Sequence, residues 1–115
     1  MESHLMDMDE LMEIMDNDKE LVRECFDDFI VDSPEMLRKI KMAIDMKDRE
    51  HLEKTAHAIK GSLRYLAAHN AADIAFKLEK MGAQAHSDVE TAEDVYQSLA
   101  NECKKLRNFM ENYDV

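Results

Sequence analysis

Glycine and proline are scarce, two of the first and one of the second in 115 residues. That leaves little material for the tight turns of a sheet or for flexible linkers. Helix formers (Ala, Leu, Met, Glu, Lys) fill the composition instead, so an all-α chain is expected. Tryptophan is absent, and the two cysteines, Cys25 and Cys103, fall on apolar helical positions with no close-spaced metal motif. Both read as buried thiols of a cytoplasmic protein. No apolar run approaches the roughly 20 residues that cross a bilayer, and the acidic N-terminal region lacks the basic-then-apolar pattern of a signal segment. Positive charge is also short: 15 Lys and Arg stand against 26 Asp and Glu, a formal net charge of −11. This excludes broad nucleic-acid binding and suits an anionic membrane poorly, so the chain is expected to bind neither; it is also expected to be a monomer. A phosphate site on such a body has to be a local basic patch.

What is present is apolar spacing of three and four residues along nearly the whole chain, with no convincing strand-like alternation. Leu5, Met8, Met12 and Met15 suggest a short first helix. Asn17 or Asp18 can cap a second, with Leu21, Val22, Cys25, Phe26, Phe29 and Ile30 on its buried face. Ser33 followed by Pro34 reads as a helix N-cap with proline in the first turn, opening a third helix that buries Leu37, Ile40 and Ile44. Asp48 starts a longer fourth helix with the stripe Leu52, Ala56, Ile59, Leu63 and Leu66. Asn70 caps a fifth, buried through Ile74, Ala75, Leu78 and Met81. Ser87 opens the last, with Val89, Ala92, Tyr96, Leu99, Cys103, Leu106, Met110 and Tyr113 in unbroken 3-4 alternation. Short connections force neighbouring helices to run antiparallel, which gives an up-down four-helix bundle with one or two extra short N-terminal helices. The ten methionines are expected to fill irregular gaps in its core. Residues 1–115 are expected to form a single domain.

The informative segment is Thr55-Ala56-His57-Ala58-Ile59-Lys60-Gly61-Ser62. At about 100° per residue, the stripe through Ala56 and Ile59 sets the core direction, and His57 points roughly 140° away from it, into solvent. Glu53, Lys60, Gly61, Arg64 and Ala68 are expected on that outer face. A glycine inside a helix costs about 1 kcal/mol relative to alanine, so Gly61 beside an exposed histidine suggests that a partner approaches the backbone closely there. Imidazole is a good nucleophile near neutral pH. Glu53, one turn earlier, can accept a hydrogen bond from Nδ1–H and leave Nε2 free to attack phosphorus. Lys54, Lys60 and Arg64 can offset phosphoryl charge and attract an acidic partner. On its own an exposed histidine on a charged helix is a solvated residue. The lysine three on, glycine four on and small hydroxyl five on distinguish this one.

Residues 56–62, Ala-His-Ala-Ile-Lys-Gly-Ser, resemble the signature A-H-x-L-K-G-S of histidine-containing phosphotransfer (HPt) domains. The resemblance extends over about residues 20–112 and includes Ala67-Ala68, Leu78-Glu79 and Gly82. It implies a four-helix bundle with an exposed mid-helix histidine that exchanges a phosphoryl group with the aspartate of receiver domains, in response regulators or hybrid histidine kinases. By that resemblance the phosphorylated histidine is His57, the supporting lysine Lys60 and the close-approach glycine Gly61. It also implies no cofactor on this chain, with Mg²⁺ expected on the partner receiver. The chain departs from the family pattern at Leu63, Arg64 and Ala67, where small residues or glycine are common, and Arg64 bears on which receiver fits.

Other readings stand beside this one. The same segment suits the phosphoaccepting domain of a multidomain, chemotaxis-type histidine kinase, or a helical adaptor that binds receivers or kinases without being phosphorylated. The absence of a phosphate-cradling glycine loop implies no ATP site and a carrier that is not itself an enzyme, and no Glu-x-x-His pair supports a di-iron bundle. His4, His51, His69 and His86 are scattered over different faces and are expected to have no special role.

Overall fold

The computed structural model describes residues 5–84 and 91–113. Five helices occur among them: α1 (Met8–Ile14), α2 (Lys19–Asp45), α3 (Arg49–Tyr65), α4 (His69–Ala83) and α5 (Ala92–Asn112). The first three begin alike. Asp7, Asp18 and Asp48 each accept a hydrogen bond from the backbone N–H three residues on, which satisfies one of the orphan donors of the first turn. They end without glycine. Asp16, Asn17, Lys47 and Ala67 take the left-handed conformation at φ of 56–57°, so the chain reverses at ordinary residues. Both glycines are thereby left for helix faces, Gly61 in α3 and Gly82 in α4.

α2 through α5 form a closed ring of neighbours, with α2 packed on α3, α3 on α4, α4 on α5 and α5 back on α2. Phe26, Leu52, Ile59, Leu63, Leu78, Leu99, Cys103 and Leu106 meet in the middle and are fully buried. α1 closes one end of the bundle. Its Leu11 and the following Met15 are buried, the Asp7 N–H donates to the Ala67 carbonyl at 2.9 Å, and Glu10 meets His69 Nε2 at 2.7 Å. At the other end, the Arg49 guanidinium of α3 donates to the Met81 and Gln84 carbonyls at 3.1 and 2.7 Å, tying down the last turn of α4.

Several expectations need correction. Ser33-Pro34 opens no third helix, because α2 runs straight through Pro34. Interior proline costs about 3 kcal/mol, but the stripe Val22, Phe26, Phe29, Ser33, Leu37, Ile40 and Ile44 is unbroken and packs on α3 and α5 along its length. Tertiary burial outweighs the local penalty. The Ser33 hydroxyl, fully buried, meets Arg107 of α5 at 3.3 Å instead of capping. α4 starts at His69, ahead of the expected cap Asn70. Cys25 is only half-buried, whereas burial pushes the Cys103 thiol up to about 12. Met15 and Met110 fill the core as expected, but Met42 and Met46 are exposed. The expected start of the last helix at Ser87, with Val89, and the residues His4 and His86 lie outside the described residues.

The tightest helix contact is between α3 and α4. A Cβ at Gly82 would lie 2.5 Å from the Glu53 backbone nitrogen and 2.7 Å from the Arg49 carbonyl oxygen. Both are backbone atoms of α3 and have no rotamer to give way. Gly82→Ala is therefore expected to lower stability by about 1–3 kcal/mol, the usual cost of overpacking. An unchanged midpoint in chemical denaturation would show that the helices separate freely at this contact.

Candidate functional site

Ala56 and Ile59, both fully buried, fix the rotation of α3 and leave His57 between them on the outside. Its side chain is 67% exposed. Across the close α3–α4 contact, Glu79 of α4 reaches it, with His57 Nδ1 2.9 Å from Glu79 Oε2. The other carboxylate oxygen, Oε1, is buried and ion-paired with Lys60 Nζ at 2.5 Å. One carboxylate is thus shared by an exposed imidazole and a lysine only 7% exposed.

Desolvation pushes the Glu79 carboxyl upward, but the hydrogen bonds and charges of Lys60 and His57 outweigh it and hold the group below the usual carboxylate range. At neutral pH Glu79 is therefore ionised and can only accept a hydrogen bond. Nδ1 of His57 must then carry the proton of that contact, so Nε2 is the ring nitrogen that Glu79 leaves unengaged.

The structure redistributes the residues expected on the outer face. The partner of Nδ1 is Glu79, and Glu53 lies instead where α3 meets Gly82. Lys60 turns inward towards α4, with its stem buried and its ammonium on Glu79, because three residues along a helix rotate a side chain about 60° from His57. Gly61 is exposed, and a Cβ there would meet nothing within 4 Å, so the free protein has no packing need for glycine at this position. Arg64 is exposed, with its guanidinium 5.9 Å from the centre of the Phe76 ring. Lys54 is 70% exposed and paired with Glu50 at 3.1 Å. Ala68 is not on this face at all: α3 ends at Tyr65, Ala67 reverses the chain, and Ala68 is buried as the residue preceding α4. Of the remaining histidines, His51 Nδ1 pairs with the cap residue Asp48 at 2.6 Å and His69 with Glu10.

Two residues that sequence reasoning left out of the site are therefore part of it. Glu79 was visible only within the family resemblance, as half of the Leu78-Glu79 pair. Phe76 carries no sequence signal beyond being an aromatic residue off the α4 stripe. On the α2 side of α3, an open groove is lined by Asp28, Asp32, Glu35 and Lys39 together with Val31 and Tyr65. Among the described residues no group of three or more His, Cys, Asp or Glu side chains is placed to hold a metal ion, and no helix is long and apolar enough to cross a membrane.

Comparison with known proteins places this geometry in context. Residues 24–109 match the family model of the Hpt domain. Histidine-containing phosphotransfer protein B (HptB) from Pseudomonas aeruginosa PAO1 superposes with a TM-score of 0.85 at 22% identity, covering 93% of this chain and 91% of that one. The HPT domain of the Hpt sensor hybrid histidine kinase from Shewanella gives a TM-score of 0.80 at 19% identity, covering 94% and 92%. At such identities these two structures speak for the helical bundle. No curated protein matches the chain.

Glu79→Gln keeps the shape of the side chain but removes the counter-charge of a buried lysine, and about 1–3 kcal/mol of stability is expected to go with it at pH 7. The sign of the pH dependence follows from the depressed carboxyl. Its contribution is complete above the ordinary value of 4.5 and is lost as the pH falls through the lower folded value. The gap between wild type and Glu79→Gln should therefore close on acidification. Urea denaturation at pH 7 and at about pH 3 measures it, and a gap that stays constant would exclude a charged Glu79 as the source.

Proposed function

This chain belongs to the Hpt domain family, and from that premise we propose that His57 is the residue through which it carries phosphate, exchanging a phosphoryl group with the aspartate of a receiver domain. The observation that carries the assignment is the contact of Nδ1 with an ionised carboxylate, which leaves Nε2 as the nucleophile on an otherwise rigid helix.

The exchange balances simply. The Nε2 lone pair attacks phosphorus of the receiver's aspartyl phosphate, an N–P bond forms, and the P–O bond to the aspartate breaks to release its carboxylate. The ring becomes an N-phosphoimidazolium whose Nδ1–H stays on Glu79, so the positive charge that develops on the ring faces a fixed negative one. Return of the phosphoryl group reverses each step. Mg²⁺ on the receiver would offset phosphoryl charge from the partner's side. This chain supplies the nucleophile, its orientation and a surface to dock on, acts as a monomer and has no ATP site of its own.

Gly61 fits the same reading. It lies one turn after His57 with open space above it, so its lack of a side chain serves whatever approaches. Lys60, already engaged by Glu79, lies beside the phosphoryl position as the supporting cation.

Two experiments test the proposal. His57→Gln should abolish acid-labile label transferred from phosphorylated receiver domains while the helical circular dichroism spectrum is retained. Label persisting at His51, His69 or His86 would overturn the assignment. Gly61→Gln should hold or raise thermal stability, because helix propensity improves by up to about 1 kcal/mol, while receiver binding weakens through steric overlap. Unchanged receiver affinity would place docking elsewhere.

A further inference from the structure

Only 9% of the Lys60 side chain is exposed, and its ammonium carries more donors than Glu79 alone can take. A ring also stands against it. Lys60 Nζ lies 4.7 Å from the centre of Phe76, which sits on α4 three residues before Glu79. Residues three apart share a helix face, so ring and carboxylate reach α3 together and meet the same ammonium. Lys80 Nζ and the Arg64 guanidinium also approach the ring, at 4.7 and 5.9 Å, but Lys60 is the cation that joins it to Glu79.

The carboxylate depends on that ammonium. Glu79 Oε1 is buried, with Lys60 as its counter-charge. If the ammonium swung out to water on its flexible stem, Oε1 would be left buried and unpaired, and the carboxylate would have to follow it out or take up a proton. Either change removes the acceptor that holds Nδ1–H of His57. The π face of Phe76 opposes the swing, because it attracts the ammonium and keeps water from it. Ring, ammonium, carboxylate and imidazole thus form one chain of contacts that crosses between α4 and α3 at every link.

We propose that Phe76 is a positioning residue for the phosphoryl exchange: its ring holds the Lys60 ammonium on Glu79, and through that carboxylate it fixes the Nδ1–H tautomer of His57. This rests on the assignment of His57 above. The role belongs to the aromatic face and not to bulk, since a leucine in the same place covers the ammonium without attracting it.

Two measurements on the full chain test it. Nitrogen NMR of isotope-labelled protein separates the Nδ1–H and Nε2–H forms of the neutral His57 ring. The wild type should hold chiefly Nδ1–H, and Phe76→Leu should move the tautomer ratio towards Nε2–H by about three- to tenfold. The second measurement is transfer from receiver domains charged with acetyl phosphate, followed against receiver concentration. Phe76→Leu should lower the limiting rate by a similar factor and leave half-saturation unchanged. Phe76→Tyr, which keeps the π face, should match wild type in both. In a Lys60→Gln background, Phe76→Leu should add no further loss, because the ring acts through the ammonium. A wild-type tautomer ratio in Phe76→Leu would overturn the proposal, as would an equal loss with and without Lys60. So would a change confined to half-saturation, which would assign the ring to receiver contact. Should Phe76→Leu fail to fold, Phe76→Met, of similar volume and without a ring, replaces it. His57→Gln run alongside separates the two readings. Loss of label there, with Phe76→Leu behaving as wild type, overturns only the role of Phe76, whereas label that survives in it overturns the assignment of His57.

Discussion

One carboxylate organises the site. Glu79 holds the imidazole of His57 with one oxygen and the ammonium of Lys60 with the other, and it does so from a different helix. Its reach depends on how closely α4 lies against α3 and in what register. Gly82, one turn further along α4, admits the α3 backbone where any side chain would collide. A slip of one residue between the helices would move Glu79 by about 1.5 Å along the axis and 100° around it, enough to lose both partners. The orientation of the His57 ring is therefore a property of the helix pair. The exposed histidine has few neighbours of its own, and the bundle supplies the precision it lacks.

Much of this was legible in the residues. The apolar stripes through Leu52, Ala56, Ile59 and Leu63 and through Leu99, Cys103, Leu106 and Met110 correctly oriented α3 and α5, because helical period and burial are tied by geometry. The exposure of His57 followed directly. Pro34 misled because local rules for helix starts omit the packing of α5 and α3 along both halves of α2. Lys60 was misplaced because a wheel diagram assigns a direction to Cβ, whereas a long side chain bends towards whatever charge it can reach. Ala68 was misplaced because nothing in the pattern marks the end of α3, where a non-glycine residue takes the left-handed turn. Glu79 could not be derived from periodicity, since its role depends on a contact between residues 22 apart in sequence.

Charge is distributed with the same economy. The basic side chains around His57 divide by their contacts. Lys60 is neutralised and fixed, Lys54 is paired within its own helix, and Arg64 and Lys80 are held by an aromatic face. In the α2 groove, Glu35 is paired with Arg38, and Asp28 and Asp32 share the lining with Lys39.

The bond to Glu79 is made through Nδ1 and so does not occupy Nε2. Under the function proposed above, a group carried on Nε2 would add its charge at the surface while the Lys60–Glu79 pair beneath keeps its place, so the bundle would present the same frame around a changed charge.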